Sequence, residues 1–368
     1  MTSPNLSLTA SPPQTQALSE GTLGMALLPI ERGDLKHARR LLREAIDGGV
    51  STGANASLFH GAPALEFVLG RAGRTEPRIH EAVDRLVAIR LASATRRRGS
   101  RCQPSLAEFD LIRGLTGLGA LLLTRPTRSP LLTEVLAYLV SLAHPVTLSE
   151  PADGAELPGW WTLESPGHDD AVPGGHSNHG VAHGIAGPLA LLALAARHGI
   201  RPPGSDEAIR VFADWLRRFG GHYWMTRDQL AEQGYAPGSV PARPSWCYGA
   251  LGIARSLQLA AHATGDQLAC RAAEDIALSA LADPASTSLV TDASLCHGWA
   301  GLLTATRALA VDATDPGRFS FHLEHLKDRL ADELDTVDKP GFLEGRTGAL
   351  LAADGPDRTG WTRALLIT

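Results

Sequence analysis

Seven copies of one short pattern run along this chain, and no other feature restricts its fold as much. A Gly-x-x-Gly step followed by small and aliphatic residues occurs at Gly21/Gly24, Gly114/Gly117, Gly184/Gly187, Gly249/Gly252, Gly298/Gly301 and Gly345/Gly348. A weaker copy at Gly61 has Ala64 in the second glycine position. Successive copies begin 40 to 70 residues apart. Self-similarity at such a period marks a stack of supersecondary units, none of which can bury its apolar face alone.

Each step reads as the start of a helix. The runs after Gly117 and Gly187, Leu-Gly-Ala-Leu-Leu-Leu and Pro-Leu-Ala-Leu-Leu-Ala-Leu, are apolar nearly all round, the mark of helices buried on several sides. Between them lie amphipathic stretches, such as 206–218 and 321–334, with apolar residues at helical spacing on one face and charges on the other. Paired glycines without a Cβ let backbones approach closely. An inner buried helix alternating with an outer amphipathic one, seven times over, suggests an all-α fold, a closed α/α toroid. An open solenoid is the competing arrangement.

The repeats leave two segments over. Residues 1–16 are polar and rich in Ser, Thr and Pro, and read as a flexible tail before a single toroid domain over 17–368. The longest gap between steps holds a Pro- and Gly-dense insertion at 145–178 with the pair Trp160 and Trp161. Long loops of this kind are often functional, and the two tryptophans suggest an apolar lip beside a mouth.

Charge and hydropathy exclude several classes. The formal net charge is −5, against the basic excess that tracking a nucleic-acid backbone needs. One basic run, Arg96 to Arg98 with Arg101, reads as a solvated loop, with a docking patch for an acidic partner as the alternative. The N-terminus lacks the basic and apolar regions of a secretory signal, and no apolar run reaches the roughly 18 residues of a membrane helix. These features place the protein in the cytoplasm, where the four cysteines are not expected to pair as disulfides.

Two of those cysteines occupy matched places. Cys247, in Ser-Trp-Cys-Tyr-Gly, and Cys296, in Leu-Cys-His-Gly, each precede their glycine step by two residues. Equivalent positions of a closed repeat point at one central place. Two thiolates and the imidazole of His297 then form a soft to borderline donor set suited to zinc. Three protein ligands leave a fourth position open for water or a substrate thiolate, the catalytic pattern. Cys102 and Cys270 lack such partners and read as structural. His183 stands immediately before Gly184, Asp110 four residues before Gly114, and Arg243 four before Cys247. Singly these read as a core histidine, a helix cap and a surface charge. Together they would ring the metal with an acid/base pair and a cation. His179 and His183 have the spacing of a metal pair, but Gly180 stands where a zincin protease needs glutamate.

At this point the sequence resembles the lanthionine synthetase C-like family, the cyclases of lanthipeptide biosynthesis. The matching words are Gly-Val-Ala-His-Gly-Ile-Ala-Gly ending at Gly187, Ser-Trp-Cys-Tyr-Gly-Ala-Leu-Gly ending at Gly252, Cys-His-Gly-Trp-Ala-Gly ending at Gly301 and Phe-Leu-Glu-Gly-Arg-Thr-Gly ending at Gly348. The resemblance implies a toroid with one zinc at its mouth, held by Cys247, Cys296 and His297. It implies functional roles for Asp110, His183 and Arg243, and a substrate-shaping role for Trp246 and Tyr248. It implies an enzyme that adds peptide cysteine thiols across dehydroalanine or dehydrobutyrine to form (methyl)lanthionine thioether rings. With no kinase or lyase region before the toroid, the chain looks like the stand-alone type. Its partners would be a dehydrated precursor peptide, a separate dehydratase and an exporter, in a complex at the membrane. The alternative is a glutathione- or thiol-binding relative that acts on dehydrated residues in other proteins.

Overall fold

The computed structural model describes residues 8–9, 14–147, 156–165, 172–232 and 242–368. Seven inner helical segments follow the seven glycine steps. They are Thr22–Met25 continued by Leu27–Glu31, then Ala62–Arg71, Leu115–Leu123, Ala186–Arg197, Ala250–Thr264, Trp299–Asp312 and Arg346–Ala353. The first glycine is the N-cap in every unit but the fourth, where Ile185 takes that place. Outer helices follow units one to six: Leu35–Ile46, Pro77–Gly99, Pro130–Ser141, Ser205–Phe219, Gln267–Ala282 and Ser320–Glu333. The contrast between layers follows the hydropathy. In Ala186–Arg197 every residue but the last is buried, whereas Ser205–Phe219 buries one face and exposes its charges.

Hydrogen bonds between neighbouring units decide between ring and open stack. Just before the glycine steps, Leu111 N–H donates to Ala182 O, Ala182 to Cys247 and Cys247 to Cys296, all at 3.1–3.2 Å. Cys296 donates to Leu343 (2.9 Å), Leu343 to Ser19 (2.8 Å), and Leu18 to Phe59 (2.8 Å). Unit seven is thus bonded to unit one, and the toroid is closed. The Arg32–Asp354 ion pair at 2.7 Å and the Glu31 carboxylate, which accepts from the amides of Arg358 and Thr359, fasten the same seam.

The structure gives the glycines a reason more specific than close approach of helices. A Cβ on the second glycine would strike the carbonyl oxygen six residues upstream in six of the seven units. The separation would be 1.9 Å for Gly24 and Gly348, 2.0–2.1 Å for Gly117, Gly252 and Gly301, and 2.6 Å for Gly187. The helix start therefore sits directly on the loop that precedes it, and the step fixes that loop against its own helix. Unit two, with Ala64, is built differently: its Gly61 has φ +70°, a conformation that favours glycine.

In unit seven the described chain has no outer α-helix. Residues 354–360 join unit one, and Trp361–Leu365 forms a 3₁₀ turn that runs into the interior. Trp361, Leu365, Leu366 and Ile367 are buried, each side chain contributing roughly 1.5–3 kcal/mol on burial. Arg255 Nε donates to Ile367 O (2.8 Å).

Two readings of the flanking segments need correction. Within the expected flexible tail, Leu8–Thr9 pairs in parallel with Val50–Ser51. Gln14–Gln16 is a 3₁₀ turn whose Gln16 is buried and accepts from Ser51 N–H. Residues 1–7 and 10–13 lie outside the described residues. The tryptophan lip is overturned. Trp160 and Trp161 are at most 1% exposed. Trp160 stands edge-on to Phe212 and Trp215 at 5.2 and 5.4 Å and donates to Ser177 Oγ. Trp161 donates to Gly174 O. Trp160 packs the insertion onto the fourth outer helix, and Trp161 ties the insertion to itself. Residues 148–155 and 166–171 of that insertion lie outside the described residues.

Candidate active site

The ring of inter-unit bonds sets the two cysteines side by side, because Cys247 N–H donates to Cys296 O. His297 follows Cys296 directly. The two thiol sulfurs and one imidazole nitrogen all lie within 4.8 Å of one another, the only such three-donor group among the described residues. All three side chains are partly exposed at the mouth.

The electrostatics suit a cation. The Cys247 thiol is held well below its usual range. The Cys296 thiol donating to it is the chief cause, and His297 and Ser245 add to this against the opposing effect of burial. Cys296 is correspondingly pushed up, since its proton is committed to Cys247 and partial burial also disfavours its charge. His297 is raised to about 9, first by Asp292 and then by Cys247. Its Nε2 lies 3.3 Å from Asp292 Oδ2. Burial opposes the charge on Asp292, but bonds from His297 and Ser294 outweigh it and keep the group ionised. A carboxylate that orients an imidazole in this way is the usual support of a metal-binding histidine. Two adjoining sulfurs, one already prone to lose its proton, and an oriented imidazole fit a divalent soft-to-borderline metal.

A second constellation stands on the neighbouring units. Asp110 is fully buried, and its Oδ1 accepts from the amides of Arg113 (2.6 Å) and Gly114 (2.8 Å). Its Oδ2 takes His183 Nδ1–H at 2.6 Å. The carboxylate thus fixes the tautomer and tilt of the imidazole, leaving Nε2 for chemistry. Ala182, next to His183, bonds to Cys247 O, so the imidazole and the thiols hang from adjoining loops. Tyr248 lies between them. Its ring is 6.2 Å from His183, and its hydroxyl is pushed up to about 12 by burial and by the charges of Cys247, Asp110 and Cys296.

Trp246 is placed otherwise than expected, and Arg243 stands beside Tyr223. Among the described residues, Asp110 is ion-paired to Arg113 at 3.8 Å and not to Arg243, which faces Tyr223. Trp246 does not shape the mouth. Its indole is 1% exposed and donates to Leu365 O (2.9 Å) in the interior. Cys102 is exposed and Cys270 buried, both away from the thiol pair.

Three participants escaped the sequence reading. Asp292 orients His297. Asn178 donates to Tyr248 Oη (3.3 Å). Tyr223 packs on Tyr248 at 5.5 Å. A signal for part of the mouth was present. The residue just before the first glycine is polar and not buried in all seven units: Glu20, His60, Arg113, His183, Tyr248, His297 and Glu344.

The pairing of this donor group with a glycine-step toroid agrees with a family model. The model for the lanthionine synthetase C-like protein matches residues 12–363. The chain belongs to the lanthionine synthetase C-like family. Nisin biosynthesis protein NisC of Lactococcus lactis subsp. lactis is 26% identical over 219 residues, 55% of this chain. That match spans about half, 51%, of the length of NisC. A solved structure of nisin cyclase superposes with a TM-score of 0.78 at 20% identity, covering 96% of this chain and 92% of its own. At that identity the likeness is one of fold. Among the described residues, no helix is long and apolar enough to cross a membrane.

Proposed function

We propose that this family member is a zinc-dependent lanthipeptide cyclase. It joins a cysteine thiol of a dehydrated precursor peptide to dehydroalanine or dehydrobutyrine, making a thioether ring. The observation that carries the reading is the meeting of Cys247, Cys296 and His297 beside the His183–Asp110 pair. Zinc held by the first three would supply a cation that stabilises the substrate cysteine as thiolate near neutral pH.

The sulfur adds to the β-carbon, the double-bond electrons move toward the carbonyl, and the α-carbon then takes a proton. His183, its Nδ1 tied to Asp110, is the group that gives that proton. Asp110 is its positioning residue. Tyr248 and Arg243 stand on the loop of the first ligand, where a cation or hydroxyl can steady the enolate oxygen. One S–H and one C=C are consumed, and one C–S and one C–H are formed, so mass is unchanged. A separate dehydratase must supply the unsaturated peptide, and an exporter would carry the product onward.

The test combines elemental analysis with thiol counting. The protein should hold about one zinc per chain, as three converging ligands imply. Incubated with a dehydrated precursor, it should remove alkylatable thiols with no change in mass. Cys247→Ala or Cys296→Ala should lose zinc, and Cys270→Ala should keep it. Full zinc in both ligand variants, or free thiols that persist with the intact protein, would overturn the reading.

A further inference from the structure

We propose that the basic run at the end of the second outer helix is a docking cleft for an acidic segment of the peptide substrate. The substrate clause rests on the cyclase reading; the anion-binding clause stands alone. The run is not spread over a convex surface. Arg97, Arg98, Arg101, Cys102, Ser141 and His144 line a cavity of about 360 Å³. Pro145 and Gly159, both described residues of the insertion, form another wall.

The cleft is held in shape before any ligand arrives. Arg97 is committed to structure. It grips Glu108 with Nε and Nη2, at 3.2 and 2.6 Å, and donates through Nη1 to Cys102 O at 2.8 Å. Tyr138 Oη donates to the same carboxylate at 2.6 Å, so Glu108 is engaged by Arg97 and Tyr138 together. Arg101 N–H donates to Arg98 O, closing the turn. Arg101 itself has φ +55°, a left-handed conformation that side-chain-bearing residues rarely adopt. Among the described residues, neither Arg98 nor Arg101 has an acidic partner. Among the described residues, the two guanidinium groups beside His144 form a local excess of positive charge on a chain of net charge −5. Carboxylates are the matching groups, since guanidinium presents forked donors to them. The location suits a substrate. Glu108 lies two residues before Asp110, so one short helix, Leu106–Phe109, separates the cleft from the His183 support.

The test uses the full-length protein and fluorescence anisotropy. The probe is a fluorescein-labelled, cysteine-free peptide rich in Asp and Glu, with a matched Asn/Gln peptide as control. The acidic probe should bind, and rising salt should weaken it, as exposed charges are screened over about 10 Å at 0.1 M. The double variant Arg98→Gln, Arg101→Gly should bind about tenfold more weakly, the effect of two exposed ion pairs. Glycine is at ease at φ +55°, so Arg101→Gly removes the cation without straining the turn. Cys247→Ala should bind as the parent does, which separates this result from any failure of the cyclase reading. Equal binding of the neutral peptide, or unchanged affinity in the double variant, would overturn the cleft.

Discussion

Replacing Gly301 by alanine should damage the metal site without touching a ligand. The added Cβ would stand 2.1 Å from Leu295 O and 3.0 Å from its carbonyl carbon. Contacts of this kind do not close below about 3 Å, so the peptide group between Leu295 and Cys296 must retreat by nearly 1 Å. Metal sites tolerate about 0.2 Å in ligand distance. Overpacking of a tight contact costs about 1–3 kcal/mol. Gly301→Ala should therefore lose about 2 kcal/mol in urea denaturation and release zinc to a chelator at least tenfold more readily. Gly24→Ala makes the same clash, with Leu18 O at 1.9 Å, two units from the ligands. It should lose similar stability but keep its zinc. Ala64→Gly, in the unit that lacks the clash, should cost only the roughly 1 kcal/mol of glycine in a helix. Wild-type stability and zinc retention in Gly301→Ala would refute the idea that the step fixes the ligand loop. Equal zinc loss in Gly24→Ala would show that the effect is global.

His183→Asn should keep zinc and fold yet lose ring closure by about a hundred- to ten-thousand-fold, whereas His297→Asn should lose zinc along with activity; zinc loss in the first variant would remove His183 from the acid/base role. Trp246→Phe should lower the denaturation midpoint and leave KM for the peptide unchanged, because the indole bonds to Leu365 O in the interior; a raised KM with full stability would return Trp246 to the substrate. His176 and His179 are held down to about 4 by burial. Above about pH 6.5 both states leave them neutral, but on acidification the unfolded chain takes up protons that the folded chain refuses. Stability should fall between pH 6.5 and 4, by up to about 3 kcal/mol for each, and a flat urea midpoint from pH 7 to 5 would contradict this.

The meeting of the three donor side chains was legible because repetition turned position into geometry. Cys247 and Cys296 share an offset from a glycine step, and a closed ring sends equal offsets to one place. The same rule, carried one residue back, accounts for Trp246. Its equivalents Leu18, Leu111, Val181, Leu295 and Phe342 are all buried, so this offset points into the core around the ring. The tryptophan is a core residue with a functional neighbour. Trp160 and Trp161 were misjudged for another reason. Their burial depends on the Thr162–His176 bridge and on Phe212 and Trp215, partners that a Pro- and Gly-dense stretch does not announce. Asp292 stands six residues before Gly298, the offset that Asn178 and Arg243 hold before Gly184 and Gly249, but these three side chains differ in type and announce no shared role; Tyr223 lies off the repeat offsets, and only tertiary packing brings it to the site.

The seam between units seven and one has a consequence for how the molecule is made. Leu343 N–H reaches Ser19, Asp354 reaches Arg32, and Arg358 reaches Glu31, joining residues more than 300 positions apart. Contacts so remote in sequence form late, because the chain between them must first be gathered in. During synthesis unit one therefore waits, its far flank unpaired, until residues 339–367 emerge. The interior is sealed in the same final step, by Trp361 to Ile367. Throughout that interval an apolar hollow and an open edge stand exposed, so the growing chain is most prone to aggregate just before it closes.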